Sequence, residues 1–161
     1  MTDLDRLWFA TLQQVLGRAA HEVKDALNGV HLNLAAIKSR AGREGVKPRD
    51  FAIFATSASD QLETLTSRIE SVLFLGREHR DPTEPADVAL TLRHLATLLV
   101  PATKADGGRL EVEGQNGSAP TSAPPMATRL ALGAALLGLT GEGGESRCQL
   151  ETQPAETGLG V

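Results

Sequence analysis

Five polar residues within one short stretch could do chemistry together: His21, Glu22, Lys24, Asp25 and Asn28. An imidazole followed directly by a carboxylate pairs a nucleophile or base with an acid able to orient it or take its proton. The stretch lies in an amphipathic segment running from about Asp3 to Arg40. There Leu12, Val15, Leu16, Ala19, Val23, Ala26, Leu27, Val30, Leu34 and Ile37 form one stripe at about 100° per residue. On that geometry His21 projects away from the stripe, toward water. Asp25 follows one turn later and Asn28 two turns later, so His21, Lys24, Asp25 and Asn28 share an outward polar strip, with Arg18 flanking it. A solitary helix histidine is usually only solvated. The acid beside this one and the spaced Asn28 set it apart.

The run His21-Glu22-Val23-Lys24-Asp25-Ala26-Leu27-Asn28 resembles the phosphoacceptor box of two-component histidine kinases, His-Glu-apolar-Arg/Lys-Asn/Thr-Pro-Leu-Asn/Thr. The resemblance implies that His21 accepts a phosphoryl group, that Glu22 orients the imidazole or takes its proton, and that Arg18, Lys24, Asp25 and Asn28 meet a response-regulator receiver domain. It also implies a homodimer. Magnesium would be held by the receiver partner, with no cofactor bound by this chain. Asp25 stands where the family has Asn or Thr, and Ala26 where it often has Pro. The Asn or Thr helps to position water for dephosphorylating the receiver, so Asp25 puts phosphatase activity in doubt.

Two other classes compete. His-Glu-Val-Lys-Asp is one residue from the His-Glu-x-x-His zinc motif, but Asp25 replaces the second His and no third ligand is suggested downstream. The stronger competitor is a dimeric adaptor that binds a response regulator or kinase without transferring phosphate.

The elements that must position the strip are mainly helical, with a small α/β part. Aromatics are 3% of the 161 residues and Tyr is absent, so the core must be built from Leu, Ala, Val and Ile. The first helix is expected over 3–41, followed by a loop over 42–49. A second helix from about Pro48 to Arg77 has Phe51, Phe54, Ala58, Leu62, Leu65, Ile69, Val72 and Leu75 as its seam. An antiparallel hairpin of two such helices leaves apolar surface wet, so pairing with a second copy into a four-helix bundle is the preferred core, and a monomeric bundle closed by the C-terminal half is the alternative. Residues 1–80 would form this phosphoacceptor unit, and Asp81-Pro82-Thr83-Glu84-Pro85 would link it to a second unit over 86–161.

In that second unit a helix is expected over Asp87 to Val100, a strand over Arg109 to Glu113, a loop over Gly114 to Pro125, a helix over Met126 to Leu139 and a strand over Arg147 to Thr152. The order is similar to a shortened, degenerate version of the ATP-binding domain of histidine kinases. The family's nucleotide helix carries an Asn that holds magnesium, whereas the run from Leu130 to Leu139 has no Asn, Asp or Glu. Glu156-Thr157-Gly158-Leu159-Gly160 resembles the family's Asp-x-Gly-x-Gly turn. A phosphotransferase without ATP-dependent autokinase activity is therefore expected.

A net charge of −4 argues against nucleic acid as partner. A single Cys148 excludes an internal disulfide framework. No apolar run reaches the ~20 residues of a membrane span and no secretory signal opens the chain. A cytoplasmic protein whose signal arrives through a partner is the expectation. His31, His79 and His94 read as surface or boundary residues.

Overall fold

The computed structural model describes residues 3–41, 43, 45, 47–77, 85–114, 117–140 and 145–149. Residues 81–84 of the linker expected at 81–85, His79, the end of the last strand and the Glu156-Thr157-Gly158-Leu159-Gly160 turn lie outside the described residues. Among the described residues four helices and four short strands follow in the order α1 (Asp3–Ala41), α2 (Arg49–Gly76), β1 (Ala86–Asp87), α3 (Val88–Ala105), β2 (Arg109–Glu113), β3 (Pro120–Thr121), α4 (Pro125–Leu139) and β4 (Glu145–Gln149). The protein is mainly helical with a small sheet component.

α1 and α2 form the hairpin. Asn33 on α1 fixes their relative height: its Nδ2 donates to Ser57 Oγ at 3.1 Å and Gln61 Oε1 at 3.2 Å. A Cβ at Gly29 would meet the Gln61 side chain at 2.3 Å, so the absence of a side chain there lets Gln61 lie against α1.

The core extends beyond the hairpin. Trp8, Leu12, Val15 and Ala19 of α1 and Leu75 of α2 share one cluster with Leu92, Leu95, Leu98 and Leu99 of α3, Leu110 of β2 and Leu136 of α4. At Gly133 of α4 an added Cβ would lie 3.1 Å from Thr11 and 3.2 Å from Trp8, which marks how closely α4 approaches α1. One end of the hairpin is thus covered by α3 and α4.

α3 runs five residues past the expected end at Val100, through Pro101. Leu98, Leu99, Ala102 and Thr103 are all buried, so continued packing outweighs the ~3 kcal/mol cost of an interior proline. The helix stops at Asp106-Gly107, where Gly107 takes φ 80° and the Gly108 amide donates to the Thr103 carbonyl. Asp87 caps the start: its Oδ1 accepts from the Leu90 amide at 2.9 Å.

The strands pair in two small ribbons. β2 and β4 are parallel, with Arg109 opposite Glu145 and Val112 opposite Cys148, and α4 lies between them in the chain. β4 starts two residues earlier than expected. β3 lies inside the segment expected as loop and pairs antiparallel with β1. These two-residue strands are below any periodic signal in the sequence.

The single stripe expected on α1 divides. Leu12, Val15, Ala19 and Val30 are buried, whereas Leu27 and Leu34 are half exposed, at 50% and 55%. α2 divides in the same way, and the seam expected there mixes two. Phe51, Phe54, Ala58, Gln61, Leu65, Arg68, Val72 and Leu75 are buried or half-buried, while Ala52, Ala55, Ser59, Leu62, Thr66, Ile69 and Leu73 are exposed. Each set repeats at spacings of three and four, and Ser59 and Thr66 are the polar members of the exposed one. α2 therefore carries two parallel, largely apolar seams, of which the hairpin and α3 cover one.

Candidate functional site

His21 is exposed on α1, and Lys24, Asp25 and Asn28 are exposed with it. Its position in the middle of a 39-residue helix gives it a rigid mount. Glu22 is half-buried on the neighbouring face, where its Oε2 lies 3.4 Å from Nη2 of Arg68 on α2. Arg68 is itself 7% exposed. The acid following His21 is thus held by an ion pair to the second helix, and does not stand free on the outward strip.

Arg18 is half-buried, and its Nη1 donates to the Thr140 carbonyl at 2.9 Å, tying α1 to the end of α4. The strip expected from the sequence accordingly separates into two groups. His21, Lys24, Asp25 and Asn28 face outward together; Arg18 and Glu22 have their charged ends engaged within the chain. A groove of about 500 Å³ between α2 and α3 is lined by Asp60, Glu63, Ser67, Arg68, Thr97 and Pro101 among others, and it does not include His21.

A second polar cluster was not legible in the sequence. His94, expected at the surface, is half-buried: its ring stacks on Phe74 at 4.1 Å between centroids, and its Nδ1 lies 3.1 Å from Ser71 Oγ. Burial first, and then the Arg93 charge, lower its pKa from the ordinary 6.5, with Arg129 in the same direction and Glu70 opposed. The Arg129 guanidinium lies over the Phe74 ring at 5.0 Å, so Phe74 bridges the histidine of α3 and the arginine of α4. The available signal was Arg129 itself, the one charged residue in the apolar helix Pro125–Leu139. A charge so placed must find partners inside the fold. His31 is exposed as expected.

Among the described residues no group of three or more His, Cys, Asp or Glu side chains is placed to hold a metal ion. No helix among them is long and apolar enough to cross a membrane. Comparison with known protein families, with curated proteins and with solved structures finds no match.

Proposed function

We propose that this protein is a histidine phosphotransferase of the two-component type, relaying phosphate between His21 and an aspartate on a response-regulator receiver domain. The observation that carries the reading is the exposed imidazole of His21 on a rigid helix; Glu22, next in the chain, is anchored on the neighbouring face by Arg68. In the transfer the unprotonated ring nitrogen attacks phosphorus as the bond to the receiver's aspartyl oxygen breaks, and the aspartate leaves as a carboxylate. The proton on the other ring nitrogen would pass to Glu22 when that carboxylate turns from Arg68 toward the ring. Magnesium held by the receiver partner would supply charge compensation for the transferred group.

Lys24, Asp25 and Asn28 form the docking face around His21, with Arg18 at its edge. Lys24 would meet acidic receiver surface. Asp25 places a negative charge near the phosphohistidine, which disfavours water-directed phosphatase chemistry more than a relay in which the receiver supplies most of the electrostatics.

The active form is a homodimer, a four-helix bundle made by two hairpins, and the uncovered seams support it. The cross-links Asn33 to Ser57 and Glu22 to Arg68 fix the height of α1 against α2. At that height Ala20 falls level with Ile69, Leu27 with Leu62, and Leu34 with Ala55. With the helices antiparallel and turning about 100° per residue, both outward stripes face the same side of the hairpin. A layer of two leucines and layers of one large residue with one alanine both occur, a mixture that suits interdigitation in packed helical bundles. The C-terminal segment is a degenerate kinase-like unit, and α4 carries no acidic or amide side chain for a nucleotide's magnesium.

The test is incubation with a panel of phosphorylated receiver domains. Phosphate moving to wild-type protein and not to His21→Ala supports the relay. Binding of receivers with no transfer from any donor replaces it with the adaptor reading.

A further inference from the structure

Between the end of α2 and the starts of α3 and α4 lies a cavity of about 270 Å³, lined by Phe74, Arg77, Pro85, Asp87, Thr91 and Arg129 among others. Arg129 is 1% exposed. Its Nη1 donates to the Leu75 carbonyl at 3.2 Å and the Arg77 carbonyl at 2.8 Å, which closes the C-terminal end of α2. Its Nη2 is fully buried and has no hydrogen-bond partner among the described residues. A buried guanidinium donor left unpaired costs more than any ordinary surface contact returns, so a group that accepts from it has a large advantage.

The other charges around the cavity favour an anion as that group. Arg77, exposed at the cavity edge, adds a second positive charge close enough to push the Arg129 pKa down, after burial. The carboxylate of Asp87 is already committed: Oδ1 accepts from the Leu90 and Ala119 amides and Oδ2 from the Ser118 hydroxyl. α4 begins at Pro125, on the cavity wall, with no side chain capping its first turn. Two positive groups thus border one small cavity: the buried Arg129 guanidinium with its unpaired nitrogen, and the exposed Arg77.

We propose that this cavity is a binding site for a small carboxylate- or phosphate-bearing ligand, held by Arg129 Nη2 and Arg77. The site is separate from His21 and does not rest on the phosphotransfer reading. Its position ties it to α2, α3 and α4 together, so occupancy would tighten the junction between the hairpin and the C-terminal elements.

The experiment titrates inorganic phosphate, and separately acetate, into the full chain while following the ring protons of His94 and the side-chain N–H signals of Arg129 by NMR. Saturable shifts are expected with at least one of the two anions; the anion that produces them identifies the ligand chemistry. Because the Arg129 charge lowers the His94 pKa across the Phe74 stack, neutralising it raises that pKa on binding. Arg77→Gln, a change at an exposed residue, weakens binding by roughly 10- to 100-fold, the effect of losing one charged hydrogen bond. His21→Ala leaves it unchanged. The proposal is overturned if neither anion gives a saturable shift, or if binding survives Arg77→Gln undiminished with the His94 pKa unmoved.

Discussion

Nη2 of Arg68 lies 3.4 Å from Oε2 of Glu22, so the second helix of the hairpin holds the acid that follows His21. Both side chains are largely shielded, with 9% and 20% of their surface exposed. Glu22→Gln is expected to slow transfer by roughly 10²–10⁴, the usual effect of losing a general acid or base. It also leaves Arg68 without its charge partner and lowers stability by about 1–3 kcal/mol. Arg68→Met separates the two effects: Glu22 keeps its charge and loses its anchor. Single-turnover transfer rates and denaturant unfolding on the two single variants and the double variant give the coupling.

The two seams of α2 predict opposite outcomes for neighbouring leucines. Leu62 is 49% exposed on the uncovered seam, so Leu62→Asp should abolish the proposed dimer and leave the helical content of the monomer intact. Leu65 is 8% exposed on the seam facing into the hairpin, so Leu65→Asp should unfold it. Sedimentation equilibrium with far-ultraviolet circular dichroism distinguishes the cases. A wild-type protein that sediments as a monomer at micromolar concentration contradicts the dimer.

Gly133 is where α4 comes closest to Trp8 and Thr11. Gly133→Val should cost about 1–3 kcal/mol through overpacking, although valine is the better helix former. A thermal or denaturant transition measures this. No loss of stability would mean that α4 does not sit against α1 as described.

Acid should weaken the fold through His94. Its pKa is lowered in the folded protein, chiefly by burial, so the unfolded chain binds the proton more readily. The stability it contributes is present above the unfolded value of 6.5 and is lost as pH falls from there through the folded value. The denaturant midpoint should be lower at about pH 5 than at about pH 7.5. His94→Phe, which keeps a ring on Phe74, should reduce that difference. Asp87, whose pKa lies below 3.8 because hydrogen bonds from Leu90, Ser118 and Ala119 outweigh the opposing effect of burial, acts in the same sense only at lower pH.

Much of the helical framework was legible in the sequence because it is periodic. α1 and α2 follow apolar spacings of three and four, and the outward orientation of His21, Lys24, Asp25 and Asn28 follows from the same arithmetic. What was not legible depends on tertiary contacts. Whether Leu62 or Leu65 faces inward is decided by where α1 and α3 pack, since both belong to acceptable seams. The continuation of α3 past Pro101 is decided by the burial of Leu98, Leu99 and Ala102. The engagement of Glu22 by Arg68 and of Arg18 by Thr140 joins residues far apart in the chain, and no local spacing announces it.

Asp25→Asn restores the residue type found in the phosphoacceptor box that this sequence resembles. Transfer should persist in the variant, and dephosphorylation of the receiver should appear or rise. Receiver phosphate lifetime with and without the variant is the readout, and loss of transfer would contradict the role given to Asp25 in the docking face.

The most direct measurement of the central claim is the location of phosphate after the protein is mixed with a phosphorylated receiver domain and magnesium. Acid-labile, base-stable phosphate is expected on His21, seen by mass mapping or phosphorus NMR, absent in His21→Ala and reversible when fresh receiver is added. Phosphate that never appears on His21 from any receiver, or that appears equally on the His21→Ala protein, contradicts it.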